Sequence, residues 1–306
     1  MEQSPFFSII LPTFNRAGMI SKAVESALSQ SFSDWELIII DDGSTDNTKE
    51  IIDKYNDNRI KYFYQTNQER SAARNNGIKK AEGRYICFLD SDDYYLDNHL
   101  KEFYEKLKTE EFPLTFLFSR MLFETDGIKK SYNIPEIIGI NKFEFIIINT
   151  IGTPQVCISK TILDKYRFNE KIYVGEDKEL WIRIVREYPI VRLNKTTVVA
   201  AIHNDRTVNL KKNNSAIKAY NVLKYIFSHE HSGNNISTGI QKTALSNCLY
   251  NCAKHHIYNR SKLRAINCLI LSVVKKPIHA QTKHKVLLIV SLIPGIAWLF
   301  RKKELI

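Results

Sequence analysis

The chain has 306 residues, 44% of them hydrophobic and 25% charged, which excludes a disordered or fibrous protein and leaves room for one large domain or two. Its net charge of +11 is unevenly placed: residues 1–209 hold 28 Lys and Arg against 31 Asp and Glu, whereas residues 210–306 hold 16 against 2. The split implies a near-neutral body carrying a basic appendage that faces something anionic, and no recognition-module pattern accompanies the charge to make that partner a nucleic acid.

No basic stretch precedes the first hydrophobic run, so no cleaved signal peptide is expected. The run at 6–11 reads as a strand, broken by Pro12-Thr13-Phe14-Asn15-Arg16 ahead of a helix marked by Ile20, Val24, Ala27 and Leu28. A second strand over 35–40 ends in Asp41-Asp42-Gly43-Ser44, and Thr45-Asp46-Asn47-Thr48 starts the next helix. A third strand over 60–64 leads to a helix over 71–81 that carries Arg74. The stretch Arg84-Tyr85-Ile86-Cys87-Phe88-Leu89-Asp90-Ser91-Asp92-Asp93 opens as a buried strand and closes on three carboxylates within four positions. Crowded carboxylates repel one another and are costly to bury unless a cation or donors compensate them; a divalent metal holding a phosphate does so, and an acidic capping turn is the competing reading.

Strands alternating with helices define an α/β protein with a doubly wound, mostly parallel sheet, and place Thr13, Asp42 and 90–93 along one sheet edge, where such sheets bind ligands. No G-x-G-x-x-G follows the first strand and no G-x-x-x-x-G-K-[ST] occurs, which disfavours a dinucleotide fold and a P-loop. Beyond a helix over 96–110 the pattern predicts strands at 114–118, 119–123 and 155–159, a short element at 142–148 that fits either state, and a turn at Gly152-Thr153-Pro154. Val174-Gly175-Glu176-Asp177 then opens a helix, so the dipole and free N–H groups there favour ionised carboxylates; a plain N-cap would look the same. His99 and His203 are the two histidines before residue 210.

From 213 onward the chain reads as helices over 216–228, 238–258, 262–274 and 285–300. The apolar run 286–300 is shorter than the ~20 residues a membrane span needs and is interrupted by Pro294-Gly295. Flanked by Lys283, Lys285, Arg301, Lys302 and Lys303, it suits a segment lying in the interface of an anionic membrane, with a packed core helix as the alternative. The five cysteines (Cys87, Cys157, Cys248, Cys252, Cys268) show no zinc pairing and no disulfide framework, which fits reduced thiols in a cytoplasm.

Five segments together carry a family likeness: Ser8-Ile9-Ile10-Leu11-Pro12-Thr13-Phe14-Asn15-Arg16, Ile40-Asp41-Asp42-Gly43-Ser44-Thr45-Asp46, Ser71-Ala72-Ala73-Arg74-Asn75, Leu89-Asp90-Ser91-Asp92-Asp93 and Gly175-Glu176-Asp177. In this order and spacing they resemble the family 2 inverting glycosyltransferases of GT-A fold, over roughly residues 5–205. The resemblance implies that Pro12, Thr13 and Asp42 hold a nucleotide base, that Asn15 and Arg16 of the same loop also bind the nucleotide, and that Arg74 lies near the base or diphosphate. It implies Asp90 at the ribose beside Ser91, Asp92 on a Mn2+ or Mg2+ ion bridging the donor diphosphate, and Asp93 facing structure or solvent. Asp177 becomes the general base at the acceptor hydroxyl, with Glu176 beside it and Thr153 in the variable region that shapes the pocket. His203 is expected to touch metal or diphosphate, with Arg206 as a charge partner.

The Q-x-x-R-W segment of the family's processive synthases is missing, so one sugar per encounter is expected. The expectation is a GT-A nucleotide-sugar-binding and catalytic domain over 1–209 and a basic helical region over 210–306, with 285–303 as a membrane-association segment. Such a protein would work on the cytoplasmic face of a membrane, moving a sugar from a nucleotide donor, most simply a UDP-sugar, to a lipid-linked glycan in surface-polysaccharide assembly. Two other classes compete. A sugar-phosphate nucleotidyltransferase would need a Gly-rich basic loop after the first strand, which Pro12–Arg16 is not; an inactive binding or scaffold protein would not need Asp92 and Asp177 intact.

Overall fold

The computed structural model describes residues 4–132, 134–137, 139–203, 214–228, 233–277 and 282–292. The chain forms two compact units, Met1–His203 and Asn204–Ile306.

In the first unit the elements run β1 (Phe7–Thr13), α1 (Ile20–Leu28), β2 (Trp35–Asp41), α2 (Thr48–Ile52), β3 (Ile60–Tyr64), α3 (Glu69–Lys80), β4 (Tyr85–Phe88), β5 (Asp93–Tyr95) and α4 (His99–Thr109). They continue through β6 (Phe116–Thr125), β7 (Ile128–Tyr132), α5 (Lys142–Ile148), a 3-10 turn at Thr153–Gln155, β8 (Val156–Ser159), α6 (Lys160–Lys165), α7 (Glu176–Ile184) and β9 (Ile190–Ala201). The sheet order is β3-β2-β1-β4-β8-β6-β9-β5, with β7 paired to β6. The half β3-β2-β1-β4 is wholly parallel, as the sequence predicts for a doubly wound sheet. Beyond β4 the sheet is mixed: β8 runs antiparallel to both β4 and β6, and β9 pairs parallel with β6 and antiparallel with β5.

Parallel strands are covered on both faces, so β1 and β2 are largely apolar and buried at every position but Pro12. Phe7, Ile9 and Leu11 of β1 pack in one cluster with Ala23, Val24 and Ala27 of α1. On the opposite face Ile10 meets α3 at Gly77, where a Cβ would stand 2.4 Å from Ile10 Cγ2, so only glycine lets helix and strand approach this closely. That contact fixes α3 one turn beyond Arg74, the first link between core packing and the site.

Several sequence expectations shift. The two strands expected at 114–118 and 119–123 are one, β6, turning into β7 through Asp126-Gly127. The strand β9 was not foreseen, and the element at 142–148 is a helix, N-capped by the Asn141 side chain accepting from Phe143 N at 2.9 Å. Asp93 accepts from Ala201 N at 3.1 Å and is buried, which makes it structural.

The second unit is helical: α8 (Ser215–Ser228), α9 (Thr238–Tyr258), α10 (Lys262–Lys275) and α11 (Thr282–Leu292). Tyr250 and Ala253 of α9, Leu269 of α10, and Leu288, Ile289 and Leu292 of α11 share a small core. Ser246 and Ser272 interlock α9 and α10, each hydroxyl donating to the other's carbonyl at 2.8 and 2.6 Å. Lys285 Nζ donates to Ser246 Oγ at 2.9 Å and is fully buried, which pushes its pKa down. Lys285 was expected to flank a membrane-facing segment; instead α11 packs inward through it, and residues 293–303 of that segment lie outside the described residues. No helix among the described residues is long and apolar enough to cross a membrane.

Candidate active site

The site is assembled at the C-terminal edge of the parallel strands. At the end of β1, the buried Thr13 Oγ1 has no hydrogen-bond partner among the described residues, and partly buried Pro12 lies opposite Ile40 of β2. Asp42 is 4% exposed, and its Oδ1 accepts from Gln65 Nε2 at 2.7 Å and Gln68 N at 2.9 Å. Its second oxygen carries no partner among the described residues. Asn15 and Arg16 chiefly join the two loops. Asn15 N donates to Ser44 Oγ, Asn15 Oδ1 accepts from Thr45 N at 2.8 Å, and Arg16 N donates to Thr48 Oγ1. Sequence reasoning passed over Phe14, whose ring is 44% exposed on this lip and offers a flat apolar face.

Arg74 is the centre of the arrangement. Its Nη2 donates to Asp90 Oδ1 at 2.7 Å and to Thr153 Oγ1 at 3.2 Å, while Nη1 donates to Glu176 Oε1 at 2.9 Å. Burial opposes its charge, but Asp90 and Glu176 outweigh burial and hold its pKa above the ordinary value. One guanidinium thus joins α3, the end of β4, the 3-10 turn and the start of α7, segments that are up to 102 residues apart in sequence. Arg70 adds a second, looser cation 3.8 Å from Glu176. Ser91 is buried.

The structure separates the roles of the two acids at the start of α7. Glu176, 5% exposed, is committed to Arg74 and Arg70. Asp177 accepts only from Lys178 N, at 2.7 Å, and its other oxygen has no partner among the described residues. Gly175 at the N-cap has φ +80, a backbone conformation that glycine adopts freely, and it turns the chain so that the pair enters the helix here. The sequence reading expected the helix dipole to favour ionisation of Asp177. Burial, with repulsion from Glu176, wins instead and pushes its pKa up to about 6, against the opposing pull of Lys178 and Arg74. Asp177 is still mostly ionised at pH 7. Lys178, also missed, donates Nζ to Ile146 O, Ile147 O and Asn149 O at 2.8, 2.8 and 3.1 Å, clasping the C-terminal end of α5 to α7.

Asp92 lies two residues beyond Asp90, and His203 Nε2 donates to Asp92 Oδ2 at 3.0 Å. The two histidines of this unit part company. His99 is fully buried, stacked on Tyr95 at 3.6 Å, and burial pushes its pKa down to about 3, so it is a neutral core group. His203 reaches the site. No cluster of three or more His, Cys, Asp or Glu among the described residues could hold a metal by itself. Asp92 and His203 therefore fit a cation that draws the rest of its shell from a ligand's oxygens and water, the usual situation for Mg2+ with phosphates. Arg206 lies outside the described residues.

The edge thus gathers the buried carboxylate of Asp42, the Asp92–His203 pair and the open carboxylate of Asp177 on a doubly wound sheet, the arrangement of a GT-A glycosyltransferase. Residues 8–159 match the family described as Glycosyl transferase family 2. The chain is 29% identical over 302 residues to the GalNAc(5)-diNAcBac-PP-undecaprenol beta-1,3-glucosyltransferase of Campylobacter jejuni, covering 95% of this chain and 94% of that protein. It is 33% identical over 231 residues to the UDP-Glc:alpha-D-GlcNAc-diphosphoundecaprenol beta-1,3-glucosyltransferase WfaP of Escherichia coli, covering 73% of this chain and 88% of that protein. Among solved structures, S. aureus TarS 1–349 in complex with UDP-GlcNAc shares the fold with a TM-score of 0.59 at 21% identity, over 93% of this chain and 84% of that one. The chain belongs to glycosyltransferase family 2.

Proposed function

We propose that this glycosyltransferase moves one sugar, with inversion, from a UDP-sugar to a hydroxyl of a glycan carried on a lipid diphosphate, at the cytoplasmic surface of a membrane. The observation that carries the reading is the Arg74 bridge, which sets the Asp90–Asp92 segment and the Glu176–Asp177 pair against one guanidinium. The names of the Campylobacter and Escherichia relatives support the acceptor class and a glucosyl donor.

In this reading Asp42 accepts the imide N–H of the uracil ring, which lies against Phe14, and Thr13 Oγ1 supplies a further polar contact. Arg74 keeps Asp90 fixed for the ribose. Asp92 and His203 would hold a divalent cation, which when bound offsets the negative charge that grows on the departing diphosphate. The acceptor oxygen forms its bond to the anomeric carbon from the face opposite the diphosphate. The bond to the diphosphate oxygen breaks with its electron pair, and the acceptor proton passes to the free oxygen of Asp177. No enzyme-bound sugar is required, so the anomeric configuration inverts.

The test uses the purified chain, UDP-glucose or UDP-GlcNAc, and a short-chain lipid-diphosphate GlcNAc acceptor, with and without Mn2+. Product formation that needs the metal and the acceptor supports the reading; metal-dependent UDP binding with no transfer to any lipid-diphosphate acceptor would refute the acceptor class.

A further inference from the structure

α10 is apolar on two opposite sides. Its inner side, Ala265, Leu269 and Ser272, packs in the helical unit, and Ser272 locks it to Ser246 of α9. Its outer side carries Leu263, 84% exposed, Val274, 68% exposed, Ile270, 46% exposed, and Leu271, 41% exposed. At about 100° per residue, Leu263, Ile270 and Val274 fall within about 20° of one line, with Leu271 about 80° to one side. The exposed cations Arg264 and Lys275 lie about 100–120° round on that side, and exposed Lys262 about 100° round on the other. Exposed Asn267 lies about 40° from the line within this side, and a band of basic side chains bordering an exposed, mostly apolar stripe is the pattern of a helix lying in a bilayer interface.

Charge selects the occupant. Among the described residues of the helical unit there is no Asp or Glu, whereas Lys218, Lys224, Lys242, Lys254, Arg260 and the cations of α10 are all basic. The same unit of a second copy would bring like charges together around the stripe, while an anionic lipid surface neutralises them. We propose that the outer face of α10 is the membrane-docking surface of this enzyme. Leu263, Ile270 and Val274 enter the acyl boundary and Lys262, Arg264 and Lys275 contact anionic headgroups. The inference rests on the reading that the acceptor is lipid-borne, and it moves the lipid contact away from α11, whose Lys285 is buried.

The experiment is flotation of the full chain with vesicles of phosphatidylcholine containing one-third phosphatidylglycerol, beside pure phosphatidylcholine. The wild-type chain should float with the anionic vesicles and be released by salt. The Leu263→Ser/Ile270→Ser/Val274→Ser variant should lose about tenfold or more in partition, and Arg264→Gln/Lys275→Gln should lose affinity for the anionic vesicles alone. UDP binding and melting temperature, unchanged in both variants, exclude unfolding as the cause. A wild-type chain that floats while the stripe variant floats equally well overturns the α10 assignment and leaves the lipid-borne acceptor standing. A wild-type chain that ignores every vesicle overturns the docking surface, and the lipid-borne acceptor is then decided by the transfer assay alone. A wild-type dimer that the stripe variant turns into a monomer, without change in flotation, assigns the face to a second copy instead.

Discussion

Replacing Arg74 by Met tests the joint on which the site is built. The guanidinium is 4% exposed at the side chain and faces Asp90 at 2.7 Å and Glu176 at 2.9 Å, with Glu176 7% exposed and Asp90 26%. A Met of similar length preserves packing but leaves Asp90 without its cation and Glu176 with only the looser Arg70 at 3.8 Å. Removing one partner of a buried ion pair costs about 3–5 kcal/mol, because the surviving charge stays desolvated. For a unit of this size each kcal/mol lowers Tm by about 2–4 °C, so Arg74→Met should melt about 6–20 °C below the wild type at pH 7. Adding Glu176→Gln should recover part of the loss, giving a coupling of about 0.5–3 kcal/mol in a double-mutant cycle. Scanning calorimetry reads all of this. A Tm within a degree or two of the wild type, with the two substitutions simply additive, would refute the claim that this pairing holds the four segments together.

Other consequences are open to simpler assays. With Asp177 pushed up to about 6 and active only when ionised, kcat should rise with pH through about 6 and level off above 7; a flat profile from pH 5 to 8 would remove Asp177 as the base. Lys178→Met should destabilise by about 1–3 kcal/mol, since three carbonyls lose their donor, and should move that acid limb upward because a cation favouring ionised Asp177 is gone. Gly77→Ala should cost about 1–3 kcal/mol in urea unfolding, as its Cβ would meet Ile10; an unchanged midpoint would mean that α3 can retreat without loss.

What the sequence made legible was whatever the chain writes locally. Thr13, Asp42, Asp90 and Asp92 follow apolar strands directly, and Glu176-Asp177 opens a helix, so strand ends and helix starts alone place them at the edge. The contacts between them were not legible, because each depends on side chains distant in the chain. Lys178 reads as an ordinary helix-surface charge until the last turn of α5 comes beside it, with Ile147, 31 residues earlier, accepting from its ammonium. Arg70 reads likewise until Glu176 is brought near. The direction of the Asp177 shift was missed because the dipole is visible in sequence and burial is not. The strand β9 begins with charged and polar residues spaced unevenly among apolar ones, then runs Thr197 to Ala200 buried in succession, so neither the alternating nor the helical period stands out. In the basic region composition pointed to the most apolar run near the end, whereas the described structure packs the start of that run and leaves α10 exposed.

The central assignment is that Asp177 takes the acceptor proton while the Asp90–Asp92 edge holds the donor, and the most direct measurement compares Asp177→Asn with Asp92→Asn in parallel titrations and turnovers. Asp177→Asn should bind UDP with Mn2+ as tightly as the wild type yet transfer sugar about 10²–10⁴-fold more slowly, whereas Asp92→Asn should lose the metal-dependent part of UDP binding. Transfer by Asp177→Asn at the wild-type rate would contradict the account.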